Sequence, residues 1–181
     1  MKNNLLSKQW FRWILVDIVV LVVTYYVSNN WYQLMLVQGE SMSPALHDKQ
    51  LVVLERHNLK FTYGDIIAFQ CEGLSSVLVK RIAACPGDIV VIEDGTLFVN
   101  GEVSILYSDR NVFEYSGILS NPVQLDKGQY IVIGDNIAES KDSRYQEVGY
   151  ISEADIWGKV VCARIAKKIY GFEKGKMHFG D

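Results

Sequence analysis

The chain has 181 residues, enough for one domain of ordinary size plus an appendage. Apolar residues make up 49 % and charged residues 22 %, which excludes a globally disordered chain. The net charge is −3 with no strongly basic block, which excludes a nucleic-acid-binding surface.

The N-terminus is the first informative segment. Lys2, Lys8 and Arg12 precede an apolar run over residues 13–28. Trp10, Phe11 and Trp13 flank it on one side and Tyr25, Tyr26, Trp31 and Tyr32 on the other, as in an interfacial aromatic belt. A membrane span needs about 17–25 residues. From Trp10 to Val27 there are 18, including Arg12 and Asp17, so a short or tilted transmembrane anchor is expected, with Arg12 snorkelling to the interface. The positive residues place segment 1–12 in the cytoplasm and the bulk of the chain outside. A cleaved signal peptide is the first alternative, but Ser28-Asn29-Asn30-Trp31 lacks a small-x-small site. A buried core helix is the second, and valine and isoleucine on all sides disfavour it.

From Leu34 the texture changes to short β-type runs. Leu51–Glu55, Ile66–Gln70, Val77–Ala83, Ile89–Glu93, Thr96–Asn100, Gln129–Ile133 and Ile156–Ala166 are rich in Val, Ile, Leu and aromatics, and turn residues bound each one. Asp94-Gly95 and Asn100-Gly101 are turn dipeptides, so Val91–Val103 reads as a hairpin. The expected class is mainly β: an N-terminal transmembrane helix, then an antiparallel sheet or barrel-like domain over 34–181. The polar stretch 104–126 reads as an inserted excursion, and 167–181 as a final strand or a loose end. Cys71, Cys85 and Cys162 are an odd set without CxxC spacing; buried apolar thiols are expected, with a Cys71–Cys85 or Cys71–Cys162 bridge conceivable.

Three segments carry candidate chemistry. In Gln38-Gly39-Glu40-Ser41-Met42-Ser43-Pro44, a glycine lets backbone approach closely before Ser41 and a proline sets a turn after it. Read alone, this is a surface turn. In Val79-Lys80-Arg81-Ile82-Ala83-Ala84-Cys85-Pro86-Gly87-Asp88, strand alternation sends Lys80 and Arg81 to opposite faces. One of them therefore points inward or into a groove. A lysine in apolar surroundings is pushed toward its neutral form and can then deprotonate a hydroxyl. The competing reading is an edge-strand lysine that blocks aggregation. The third segment, Gly134-Asp135-Asn136-Ile137-Ala138-Glu139-Ser140-Lys141-Asp142-Ser143-Arg144, crowds hydrogen-bonding side chains into one loop, which alone is a solvated turn. Ser41 and Lys80 lie 80 − 41 = 39 residues apart, so adjacent strands rather than one helix turn would have to bring them together. His47, His57 and His178 sit in no triad-like setting, and no metal or nucleotide motif is present, so neither metal nor cofactor is expected.

Together these segments resemble the type I signal peptidase family, in a Gram-positive-like short form. Gly-x-Ser-Met-x-Pro, Gly64-Asp65-Ile66-Ile67-Ala68-Phe69, Lys80-Arg81 ahead of Pro86-Gly87-Asp88, and Gly134-Asp135-Asn136 with Ser140-x-Asp142-Ser143-Arg144 occur in that family's order behind an N-terminal anchor. The resemblance implies a membrane-bound serine endopeptidase that removes signal peptides from exported precursors. Its partners would be those precursors and the lipid bilayer. It implies that Ser41 is the nucleophile and Lys80 the general base, a known variant of acyl-transfer chemistry. Ser140 would orient Lys80, and Asp142, Arg144 and Arg81 would form an ion-pair network beneath the site. Met42, Leu46 and Val79 would line pockets for small residues just before the cut. Some relatives carry a serine two positions before the nucleophile; Gly39 stands there, so the oxyanion would rest on backbone donors such as the Ser41 N–H. Ala45, Ala84 and Ile137 depart from the usual threonine, glycine and arginine. The alternative is a non-proteolytic or locus-dedicated relative assisting surface protein or pilus assembly, and the presence of both Ser41 and Lys80 weighs against it. A self-cleaving repressor-type protease would need a DNA-binding module, and none is visible.

Overall fold

The computed structural model describes residues 3–57, 59–71, 76–108 and 112–162. It begins with a single long helix, α1 (Asn3–Trp31). Side chains from Trp10 to Tyr26 are exposed on every face of it, apolar ones included. A helix that is apolar all round finds no core-facing stripe to bury. The expected span over 13–28 lies within α1. It has only 16 residues, with Asp17 among them, which falls short of the ~17–25 that a span needs. Among the described residues no helix is long and apolar enough to cross a membrane.

The rest is antiparallel β. The strands are β1 (Tyr32–Leu36), β2 (Leu51–Glu55), β3 (Ile66–Gln70), β4 (Val77–Ala84), β5 (Ile89–Glu93), β6 (Thr96–Val99), β7 (Glu102–Val103), β8 (Val123–Gln124), β9 (Gln129–Ile133), β10 (Ile151–Ser152) and β11 (Ile156–Cys162). Seven form one sheet in the order β1-β2-β11-β3-β4-β9-β10, and four form a second in the order β7-β6-β5-β8. The expected strands therefore appear, most to within a residue. Four strands lie outside the expected runs: β1 and the two-residue pieces β7, β8 and β10. The segment after α1 enters the sheet without a turn and pairs with β2, Leu34 opposite Val53. The expected strand end at 163–166 and the tail 167–181 lie outside the described residues.

The β5–β6 hairpin turns at Asp94 and Gly95, with φ of 46° and 74°. Two successive positive φ values are what a two-residue hairpin turn of primed type requires. Of the stretch 104–126, Val123 pairs with Val90, so its end completes the second sheet, and Gly117–Leu119 form a 3-10 turn.

β4 connects the two sheets. It passes between β3 and β9, then turns at Pro86-Gly87 into β5. Ala83 and Ala84 at its end pack with Val90, Ile92, Leu97, Ile131 and Ile133 in the core that joins the sheets. A second core gathers Ile67, Phe69, Ile82, Tyr130 and Val132, and a third gathers Met42, Leu46, Val52, Leu54 and Ala68. Burying a leucine or phenylalanine fully is worth about 1.5–3 kcal/mol each, so these clusters fix the strands that carry the polar site. Cys71 and Cys85 are both free thiols, and burial raises the pKa of each.

Candidate active site

Ser41 lies in the turn that follows β1. Gly39 there has φ of 81°, a region that glycine enters without steric cost, and its N–H donates to Asp48 Oδ1 at 2.8 Å. Ser43 N–H donates to the Glu40 carbonyl at 3.0 Å and Leu46 N–H to the Met42 carbonyl at 2.9 Å. The turn is thus closed on itself, with Met42 and Leu46 driven into the third core.

Lys80 sits on β4 opposite Ile67, next to Arg81, where β9 begins to pair with the other side of the strand. Only 3 % of it is exposed. Its Nζ donates to Ser41 Oγ at 2.5 Å. Burial lowers its pKa from the ordinary lysine value to about 8; nearby Asp142 pulls it up and Arg144 pushes it down, both by less. Desolvation wins because an ammonium loses its hydration shell whether or not a carboxylate stands nearby.

The loop after β9 is bound to the nucleophile turn by backbone groups. Asn136 N–H donates to the Ser41 carbonyl at 3.0 Å, and Asn136 Nδ2 to the Glu40 carbonyl at 3.3 Å. Two ion pairs, one buried and one partly buried, hold that loop. Arg144 grips Asp142 through Nε at 2.8 Å and Nη2 at 3.0 Å, and Nη2 also donates to the carbonyls of Ile137 and Ser140. Asp142 Oδ2 accepts from the Gly134 N–H at 3.1 Å. Arg81 grips Asp135 through Nε at 2.8 Å and Nη2 at 2.6 Å, and donates from Nη1 to the Gly64 carbonyl at 2.7 Å. Bidentate guanidinium–carboxylate pairs of this kind fix orientation as well as distance.

Three expected placements differ. Arg81 does not join Asp142 and Arg144; its carboxylate is Asp135, near the start of the same loop. Ser140 is buried, but its Oγ has no hydrogen-bond partner among the described residues, so the expected bond to Lys80 is not made. Leu46 is wholly buried behind Met42 in the core and does not reach the cleft. Asp135 and Asn136 belong to the Gly-Asp-Asn motif, but the sequence assigns neither a role of its own. The signal was there: a Gly-Asp-Asn run directly after a strand is a place where short side chains cap neighbouring backbone. Ile137, in place of arginine, is buried in the core that joins the sheets, which an apolar side chain suits.

Beside Ser41 opens a cleft of about 360 Å³. Gln33, Met35 and Leu36 of β1 line it, with Val37, Gln38, Ser41 and Met42 of the nucleophile turn, Val77 to Lys80 of β4, and Trp157 of β11. Val77, Leu78 and Val79 pair with β3 alone, whereas β9 pairs with β4 only from Arg81 onward. The first half of β4 thus presents a strand edge at the cleft.

The profile of the family described as signal peptidase, peptidase S26, matches residues 9–164. The chain belongs to the S26 signal peptidase family. It is 35 % identical over 153 residues to the signal peptidase I of Bacillus licheniformis, covering 79 % of this chain and 80 % of that one. It is 31 % identical over 173 residues to the signal peptidase IB of Staphylococcus aureus strain Mu50, covering 86 % and 89 % respectively. A crystal structure of a signal peptidase I from Enterococcus faecalis V583 aligns with a TM-score of 0.46 at 28 % identity, over 57 % of this chain and 98 % of that one. As an S26 signal peptidase the chain is a serine peptidase, a hydrolase that acts in signal peptide removal. These relatives do not favour the assembly-factor alternative.

Proposed function

We propose that the chain cleaves signal peptides from exported precursors with Ser41 as nucleophile and Lys80 as general base. The observation that carries this reading is the 2.5 Å contact between Lys80 Nζ and Ser41 Oγ, made by a buried lysine whose pKa burial has lowered to about 8. A neutral Lys80 takes the Ser41 proton as Oγ attacks the scissile carbonyl. The Ser41 N–H donates to the developing oxyanion, an interaction of the kind worth about 2.7–4 kcal/mol where a single donor has been removed. Lys80 then passes its proton to the leaving amine, and the signal peptide remains as an ester on Ser41. In the second half Lys80 deprotonates water, which attacks the ester and frees the acid and the serine. Ser140, buried on the loop that the Asp142–Arg144 and Arg81–Asp135 pairs hold, orients the lysine by turning its hydroxyl toward it during the reaction.

The precursor lies in the cleft as an extended strand against the open edge of Val77 to Val79, its small residues before the cut facing Met42 and Val79. The exposed apolar surface of α1, with the expected anchor over 13–28, holds the enzyme at the membrane, with Arg12 snorkelling and the aromatics at the interfaces. Lys2, Lys8 and Arg12 keep the N-terminus cytoplasmic, and the sheets lie on the outer side.

The test is cleavage of a precursor with an Ala-x-Ala site by the wild type, Ser41→Ala and Lys80→Ala. Both variants are expected to lose cleavage. Undiminished cleavage by either one sinks the dyad, and a wild type inert on every precursor returns the assembly-factor reading.

A further inference from the structure

The cleft beside Ser41 is lined by one large side chain, Trp157, that the reaction does not use. Along β11 the pairing with β3 runs from Ile156 opposite Phe69 to Gly158 opposite Ala68, so Trp157 is skipped at an irregularity of β-bulge type. A bulge re-aims the side chain of the extra residue, and bulges gather beside active sites. Here the skipped residue is a tryptophan that lines the same cleft as Ser41, Lys80 and Val79 and stays 38 % exposed there. The next residue, Gly158, packs close to β2: a Cβ there would lie 2.6 Å from the Glu55 carbonyl.

The position along the cleft follows from the register. Phe69 and Ala68, which flank the bulge across β3, stand opposite Leu78 and Val79 of β4. A strand laid on that edge advances about 3.3 Å per residue, so the level of the indole is reached a few residues from the bond held at Ser41 and Lys80. An exposed indole offers a rigid apolar plane of large area, suited to an aliphatic or aromatic side chain rather than to a small one.

We propose that Trp157 is a specificity-determining residue, forming the platform for a large apolar side chain immediately upstream of the small residues that precede the cut. The inference rests on the peptidase reading of the cleft and deepens it. A signal peptide whose apolar segment runs down to the cleavage region is thereby distinguished from one with a polar or glycine spacer.

The test uses two signal peptides that differ only in the two positions before Ala-x-Ala, Leu-Leu in one and Gly-Gly in the other. Binding is measured by anisotropy on full-length Ser41→Ala, where no turnover occurs. The Leu-Leu peptide is expected to bind about tenfold more tightly, the scale of one aromatic contact. Ser41→Ala with Trp157→Ala loses that difference, and with Trp157→Phe keeps most of it. In cleavage, Trp157→Ala raises KM for the Leu-Leu peptide more than it lowers kcat. A difference that survives in the alanine variant, or that is absent with Trp157 in place, overturns the proposal. If the Leu-Leu peptide binds through Trp157 but neither peptide is cleaved by the wild type, the peptidase reading fails while the Trp157 platform stands.

Discussion

Gly134 and Ser140 are packed so closely that a Cβ on Gly134 would fall on Ser140 Oγ, and within 2.5 Å of the Ser41 carbonyl. The glycine therefore sets the spacing between the nucleophile turn and the loop that returns from β9. Here backbone conformation is not the reason for glycine; lack of space is. The Gly134 N–H is itself fixed on Asp142, so the residue cannot withdraw.

Gly134→Ala is expected to force the loop away from Ser41. Overpacking of this kind costs about 1–3 kcal/mol. A lower melting temperature should accompany a fall in kcat/KM of at least about tenfold, since one ångström of misplacement costs far more than the stability loss implies. An alanine variant with wild-type activity would show that the loop tolerates displacement and that the spacing is not functional.

Ser140→Ala separates stability from function. The Ser140 hydroxyl is buried without a hydrogen-bond partner among the described residues, so its removal relieves a desolvation penalty. Thermal stability should hold or rise. If Ser140 turns toward Lys80 during the reaction, kcat falls about 10–100-fold, in the range of a lost positioning contact. Unchanged kcat in a stable variant would remove Ser140 from the proposed machinery.

The β strands were legible because short Val- and Ile-rich runs between turn residues leave few other structures open, and Asp94-Gly95 names its own turn. β1 was not legible as a strand. Tyr-Gln-Leu-Met-Leu follows a helix with no glycine or proline between them, and its partner β2 is brought beside it only by the nucleophile turn. Ser41 and Lys80 were legible by motif order, yet Ser41 follows β1 and Lys80 sits on β4, strands that are not neighbours in the sheet, so their contact depends on the nucleophile turn packing back across β2 and β3, which no local pattern states. The partner of Arg81 was misread for the same reason. Asp135 and Asp142 stand in one polar loop, and only the folded path decides which of them meets which arginine.

The two ion pairs should differ in strength. Arg144 has 3 % of its side chain exposed and Arg81 has 18 %. Breaking a pair leaves an unpaired charge, which costs about 3–5 kcal/mol when fully buried and less where water reaches it. Asp142→Asn is therefore expected to lower the unfolding free energy more than Asp135→Asn, measured by denaturant titration at pH 7. Equal losses would mean that water reaches both arginines alike.

The pH response follows from Lys80. Its folded pKa of about 8 lies below the ordinary 10.5. Only the neutral amine accepts the Ser41 proton, so kcat/KM should climb with pH and level off above about 8, the value set by burial. The sign for stability is the same. Between about 8 and 10.5 the unfolded chain holds a proton on this lysine that the folded protein has released. Stability from this group therefore rises with pH across that window, and the burial penalty is at its full size below about 8. Lys80→Met, which carries no proton in either state, should flatten that part of the melting-temperature profile. Asp142→Asn removes the carboxylate that raises the lysine, so in the folded fraction the kinetic limb should move to lower pH. A limb that stays in place would show that Asp142 is fully neutralised by Arg144 and does not act on Lys80 at all.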